Sequence, residues 1–383
     1  VGSPPQEFSL QLDTGSSDIW LPWERSTQCL KNNACTNGAY DPGSSTSYKN
    51  IARGDFEIAY VDGTEIAGDY ITDVFAIGDA TVKNMTMGVA TQATVNCASC
   101  PFQGIVGVGY PAGESIAHTD GPESIYPNLI NQLKNQGYIS SLAYSLWLND
   151  LESEMGEILF GAVDTNKYSG KLVSLPVQPE SEFSAGSRMS HSLTSFNVVL
   201  DNLNVANGND VIQYSQKDMA IPVILDSGTT LTYLPDPIAR DIAKGVGATT
   251  DPDYGLVVPC SLRDSNATLN FGFGNPGGPV IRAEISQFVL PFPDGYPAPR
   301  FRSGVAACNW GLLGSGSDPN LFGDTFLRSA YVVYDLEHNQ VAIAQTVFNV
   351  TDSNVVEIVS GIPDVTSTAS GVQVTQTATG NSP

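Results

Sequence analysis

Two short stretches hold the residues best suited to acid–base chemistry: Leu12-Asp13-Thr14-Gly15-Ser16-Ser17-Asp18-Ile19-Trp20 and Leu225-Asp226-Ser227-Gly228-Thr229-Thr230-Leu231-Thr232-Tyr233. Each places one carboxylate after an apolar, strand-like run, residues 8–12 in the first case and 221–225 in the second. A hydroxyl residue, a glycine and a second hydroxyl residue then follow. Turns favour Asp, Gly and Thr for ordinary conformational reasons, so one copy would say little. Two copies in matching contexts, more than half the chain apart, predict two lobes that each present one aspartate. Paired carboxylates serve general acid–base catalysis when one member takes a proton and the other gives one.

Each motif has companions. Tyr60-Val61-Asp62-Gly63-Thr64 lies between two strand candidates and reads as a hairpin tip, since Asp-Gly suits a tight β-turn. Residues 102–109 are apolar and glycine-rich but lack both the Lys-Ser/Thr ending of a P-loop and dinucleotide-loop spacing, so no nucleotide is expected. Glycine there lets another backbone pass close by. Ile105-Val106-Gly107 has a counterpart in the second half, Leu321-Phe322-Gly323. His118, His191 and His338 are the only histidines and lack metal spacing, so neither a metal nor a cofactor is expected. A Ser-His-Asp arrangement built on His118 and Asp120 lacks the Gly-x-Ser-x-Gly elbow. Glycosidases also use two carboxylates, about 5–10 Å apart, but without duplicated Asp-hydroxyl-Gly loops.

These residues need a frame, and the frame reads as mostly β. Alternating or β-branched runs at 56–60, 70–75, 157–160, 196–200 and 331–334 are separated by Gly, Asn, Asp and Pro turns. Helical signals are few: residues 128–134 close at Gly137, and residues 237–243 begin with a proline placed as first-turn prolines are. A chain of 383 residues exceeds what one core usually supports, so two domains are expected, with the junction near 165–180. From about Thr351 the composition turns to Ser, Thr, Val and Gly, which predicts a flexible, O-glycosylated stalk.

The 40 acidic against 17 basic side chains give −23, which argues against nucleic acid or anionic membrane as partners. That imbalance suits either work in acid, where carboxylates carry protons, or simple solubility. Six cysteines and three glycosylation sequons, at Asn84, Asn266 and Asn349, read as secretory-route chemistry. Cys29–Cys35 would close a short loop. Cys260–Cys308 would close one of about 49 residues, worth at most roughly 4 kcal/mol. Cys97-Ala98-Ser99-Cys100 lacks a redox or zinc context and reads as a structural bridge, either its own or crossing to Cys29 and Cys35. No apolar run is long enough to span a bilayer. Val1-Gly2-Ser3-Pro4-Pro5 reads as the middle of a domain, with a leader and a pro-segment expected upstream.

Taken together, these features resemble the pepsin-like aspartic proteases. Asp13-Thr14-Gly15-Ser16 and Asp226-Ser227-Gly228-Thr229 match the two catalytic loops. Tyr60 and Trp20 match the flap tyrosine and its tryptophan partner. Ile105-Val106-Gly107 and Leu321-Phe322-Gly323 match the segments that cross beneath those loops. The resemblance runs from about Gly2 to Gln345, and the Ser/Thr-rich tail is similar to that of the secreted or cell-surface fungal branch, including yapsin-like enzymes. It implies a bilobal fold with pseudo-twofold related lobes: residues 1–172 carrying Asp13 and the flap, 173–350 carrying Asp226, and a tail over 351–383. An N-terminal edge strand is expected before Gly2. Ser227 replaces the commoner threonine and keeps a hydroxyl, while Val61 stands where many relatives carry a flap glycine.

The resemblance also implies a mechanism. Carboxylates about 3 Å apart would repel by roughly 5–6 kcal/mol at an effective dielectric of about 20, or about 4 pKa units. The shared proton is a property of this enzyme class, which is its standard example. The ionised member accepts a proton from a water held between the pair, and the protonated member donates to the scissile carbonyl. Thr14 and Ser227 would lock the loops together, while Ser16 and Thr229 would hydrogen-bond the outer carboxylate oxygens. Gly15 and Gly228 would let backbone N–H groups approach. Tyr60, held by Trp20, would cover the substrate from the flap, with Asp62 and Gly63 at its tip. Asp62 either faces the cleft and favours lysine or arginine beside the scissile bond, or is a solvated turn residue. The expected partners are peptide or protein substrates and pepstatin-like inhibitors, acting on a monomer at the cell surface or wall or outside the cell. The rivals are a pepsin-like fold kept as a binding or inhibitor protein, and a wall-bound structural glycoprotein.

Overall fold

A computed structural model describes the chain except residues 33, 96–100, 180–192, 217–218, 275–276, 293–298, 364–365 and 368–383. It is mostly β and divides into two compact units, Val1–Leu142 with His191–Ser195, and Ala143–Ser190 with Phe196–Pro383. The chain therefore leaves the first unit at Leu142, not at 172. Position 172 lies inside the strand Tyr168–Pro176, which pairs antiparallel with Gln340–Thr346 of the second unit.

The first unit is built on one six-stranded sheet. Its strands are β1 (Gln11–Asp13), β2 (Ile19–Pro22), β3 (Lys49–Ala59), β4 (Glu65–Ile77), β5 (Ala80–Thr94) and β6 (Ile105–Gly107), in the order β1-β6-β2-β5-β4-β3. The three long strands form a meander whose first hairpin turns at Tyr60–Thr64. There the Tyr60 N–H donates to the Thr64 carbonyl and the Gly63 N–H to the Tyr60 carbonyl, both at 2.9 Å. Gly63 takes φ 82°, a left-handed conformation that glycine adopts freely. Beneath this hairpin Trp20, Phe56, Ile66, Tyr70, Ala90 and Phe102 form one buried cluster. Full burial of side chains this size stabilises by about 1.5–3 kcal/mol each. The helix Leu129–Asn135 starts where Asn128 accepts the Asn131 N–H, close to the predicted start.

The second unit contains two large sheets. In one, Thr366–Ser367, Tyr168–Pro176, Gln340–Thr346, Ala330–Asp335, Ala143–Trp147 and Glu157–Phe160 lie side by side. The other carries Ile221–Leu225 next to Leu321–Phe322, which also pairs with Thr232–Leu234. Phe271 packs edge to face against Phe322 and Phe326, which are tilted against each other, with ring centroids 4.7 to 5.3 Å apart. The helix Asp236–Gly245 has Pro237 in its first turn, as its sequence predicts.

The start of the predicted flexible tail is part of this unit. Val355–Glu357 pairs antiparallel with Ala162–Asp164, and Thr366–Ser367 pairs with Tyr168–Pro176. Ile358 and Ile362 are buried in a cluster with Trp147, Leu172 and Tyr331. Ser/Thr-rich composition hid these apolar residues, whose burial offsets the entropy of ordering the segment. Residues 368–383 of the tail lie outside the described residues.

Candidate active site

In the first unit, β6 runs between β1 and β2, parallel to the first and antiparallel to the second. Asp13 stands opposite Gly107, and Ile19 opposite Val106. The turn from 14 to 18 thus wraps over the end of β6, and the Val108 N–H donates to the Asp13 carbonyl at 2.9 Å. Close approach is the reason for glycine at 107. A Cβ there would sit 2.6 Å from the Asp18 carbonyl oxygen and 2.7 Å from its nitrogen. At Gly104 it would meet the Trp20 carbonyl at 2.3 Å. So the glycine-rich run is a threading strand, as its composition predicts.

This frame buries Asp13 and directs its donors. Oδ1 accepts the Gly15 N–H at 2.8 Å, and Oδ2 accepts the Ser16 hydroxyl. Trp20, on β2, donates its Nε1–H to the Tyr60 hydroxyl at 2.8 Å. Burial pushes the Tyr60 phenol far above its ordinary range, with the Asp13 charge adding to the effect. Tyr60 is therefore a neutral phenol.

The second unit builds the same arrangement from different strands. Leu225 stands opposite Phe322 in parallel register, and Thr232 opposite Phe322 in antiparallel register. The Asp226 N–H donates to the Phe322 carbonyl at 3.1 Å. Asp226 Oδ1 accepts the Gly228 N–H at 2.8 Å, and Oδ2 accepts the Thr229 hydroxyl at 2.6 Å. Gly323 repeats the role of Gly107: a Cβ there would lie 2.1 Å from the Thr229 carbonyl oxygen. Thus each unit places a buried aspartate at the end of such a strand, where a glycine N–H and a hydroxyl orient it.

The other predicted residues fall as follows. Thr14 and Ser227 are buried. Asp62 is exposed, and its two oxygens accept the N–H and hydroxyl of Thr64 at 2.8 and 2.9 Å, the bonding of a turn aspartate. Cys29 is bonded to Cys35 and Cys260 to Cys308, so the first pair makes no crossing to Cys97 and Cys100, which lie outside the described residues. Asn84, Asn266 and Asn349 are all exposed.

Sequence reasoning missed two carboxyls near these loops. Asp324, directly after Leu321-Phe322-Gly323, is pushed up to about 7 by burial, with the Asp226 charge adding and Arg328 opposing. The acid inside the apolar run Leu321–Leu327 was its signal. Glu114 is fully buried in the first unit, and nothing in its local sequence marks it.

The comparisons with known proteins agree with this geometry. The family model for eukaryotic aspartyl protease matches residues 1–346. The chain is 39% identical over 382 residues to a protein of Aspergillus fumigatus named probable aspartic-type endopeptidase opsB, covering 99% of this chain and 73% of that one. The protein of that name in Aspergillus oryzae is 41% identical over 366 residues, covering 94% and 70%. Secreted aspartic protease 6 of Candida albicans is 34% identical over 368 residues, covering 94% and 77%.

Proposed function

This chain belongs to the eukaryotic aspartyl protease family, and on that premise we propose that it hydrolyses internal peptide bonds through Asp13 and Asp226 acting as one proton-sharing pair. One observation carries the proposal: both aspartates sit in the same local frame, each at the end of a strand threaded against a glycine-bearing strand, each held by a glycine N–H and a hydroxyl. Such duplication fits a reaction that needs two equivalent carboxyls in opposite protonation states. The ionised member takes a proton from the attacking water, and the protonated one gives its proton to the carbonyl oxygen. Both C–O(H) groups of the resulting diol then remain on the substrate, so no covalent enzyme intermediate forms. Collapse of the diol re-forms the carbonyl as one diol hydroxyl gives its proton to the ionised carboxylate, and the amine leaves with the proton given by the other member of the pair.

Tyr60 fits a cover for the substrate, because Trp20 fixes its hydroxyl and burial keeps it protonated. The substrates are peptides or unfolded proteins, cleaved in acid and outside the cell. Support for secretion comes from two disulfides, three exposed sequons and a relative whose name says it is secreted. Preference for basic residues rests on the Asp62 charge at the flap tip, and equal cleavage ratios of Lys and Phe peptides by the parent and Asp62→Ala would remove it.

The decisive experiment follows hydrolysis of an acid-denatured protein by the parent chain, Asp13→Asn and Asp226→Asn. Each variant should lose roughly 10⁴-fold or more in kcat while keeping the parent's melting temperature, and a pepstatin-type peptide should block the parent. A variant that retains the parent's rate would sink the proposal.

A further inference from the structure

The sheet of the first unit has a second face that the proposed chemistry does not use. Side chains alternate along a strand, and Phe56, Tyr70 and Ala90 turn toward the buried cluster that holds Trp20. Asp69, Ile71 and Val89 therefore turn the other way, and Asp69 stands opposite Val89 across β4 and β5. On that face lies a pocket of about 290 Å³. Ile71 and Val89, both buried, line it together with the half-buried rings of Trp23 and Tyr48, while Arg53 and Asp69 supply its charges.

The lining is held in place by backbone pairing and packing. The Trp23 N–H donates to the Ala90 carbonyl at 3.2 Å, so the chain after β2 still runs beside β5. The Tyr48 ring lies 6.3 Å from that of buried Tyr40. On the edge strand β3, residues 53–55 stand against the single residue Asp69 of β4, which makes a bulge with Gly54 at φ 73°. Asp69 clasps this bulge: Oδ1 accepts the Gly54 N–H and Oδ2 accepts the Asn50 side-chain N–H, each at 2.9 Å. Bulges re-aim side chains. Here the bulge leaves Arg53 exposed at the pocket, with no hydrogen-bond or ion-pair partner among the described residues.

We propose that this pocket is a binding site for a small carboxylate carried on an apolar, ring-sized body. Arg53 takes the carboxylate, and Trp23, Tyr48, Ile71 and Val89 take the body. A free aromatic acid and the C-terminal residue of a short peptide present the same chemistry.

Charge and shape select this class. A guanidinium is planar, permanently charged and matched to the two oxygens of a carboxylate. Aromatic and aliphatic walls favour a ring over a bare anion. The volume of about 290 Å³ lies at the small end of ligand pockets and fits one ring with a short chain. A cationic ligand is ill-matched, because Arg53 repels it and Asp69 already accepts two bonds from the bulge. The pocket faces away from the cluster of Trp20 and Tyr60, so it is separate from the site proposed for hydrolysis and does not depend on that activity.

The test titrates phenylpropionate into the whole chain at pH 6, where a free carboxylate is ionised, and follows the heat of binding. Saturable binding is expected, and Arg53→Gln should weaken it roughly ten- to hundred-fold. Phenylpropionamide keeps the ring without the charge and acetate keeps the charge without the ring, so each should bind the parent at least about tenfold more weakly. N-acetyl-phenylalanine stands for a peptide end: affinity equal to that of phenylpropionate extends the site to peptide C-termini, and weaker binding restricts it to free acids. No saturable binding of phenylpropionate, or equal affinity in the parent and Arg53→Gln, overturns the proposal. Should Arg53→Gln not fold, the parent alone decides, since an amide that binds as tightly as the acid also overturns it.

Discussion

Gly323→Ala tests most directly whether threading of one strand beneath the Asp226 loop fixes the carboxylate. An added Cβ would lie 2.1 Å from the Thr229 carbonyl oxygen, 2.5 Å from that of Leu231 and 2.7 Å from the Thr229 carbonyl carbon. All three are backbone atoms, so no side chain can swing aside. Both oxygens are also engaged: Leu231 accepts the Gly323 N–H at 3.2 Å, and Thr229 accepts the Asp324 N–H at 2.9 Å. Relief therefore requires pulling the loop off the strand. Two hydrogen bonds at about 1 kcal/mol each and overpacking of about 1–3 kcal/mol give a loss of roughly 3–5 kcal/mol. For a unit of this size that corresponds to a fall of about 10 °C in melting temperature. Because Thr229 also donates to Asp226 Oδ2, the carboxylate moves with the loop, and a 1 Å displacement costs about 10²-fold in rate. Differential scanning calorimetry and kcat on a fluorogenic peptide measure both losses. Gly247→Ala is the control: its φ of 75° makes the change mildly unfavourable, but a Cβ there meets nothing within 4 Å, so kcat should hold. If Gly323→Ala kept the parent's stability and kcat, the threading account of the site would be refuted.

Two further outcomes follow from burial and from the disulfides. Asp324 is pushed up to about 7 from 3.8, so it favours folding fully below 3.8 and loses that contribution as pH rises toward 7. Asp324→Asn should narrow the gap between melting temperatures at pH 4 and pH 7. An unchanged gap would contradict the role of burial there. Replacing Cys260 and Cys308 by alanine, which opens a sequence separation of 48, should cost at most roughly 4 kcal/mol. Opening Cys29–Cys35, with a separation of 6, should cost about 2.4 kcal/mol on the same chain-entropy account. Melting temperatures that reverse this order would show that native-state packing around Cys29 and Cys35, not loop length, dominates.

The duplicated motifs were legible because their contacts are local. A carboxylate at a strand end, a glycine N–H two residues on and a hydroxyl three residues on form contacts within four residues, so spacing alone specifies them. The crossing strands were legible for a related reason. Gly107 and Gly323 are glycine because another backbone occupies the place of a Cβ, and the residue type records that exclusion. Burial leaves no such local record. Asp18 follows two serines and Glu114 follows a glycine, as surface acids often do, yet both are fully enclosed by residues far along the chain, among them Tyr70 and Tyr126. The tail failed for the converse reason. Its composition is that of a solvated segment, while Ile358 and Ile362 find their partners in Trp147, Leu172 and Tyr331, which no window around residue 351 contains. The unit boundary was likewise set by pairing at long range, since Ala143–Trp147 joins the strand Ala330–Asp335. Chemistry held by near neighbours is written in spacing; protonation and cohesion set by distant ones are written only in the fold.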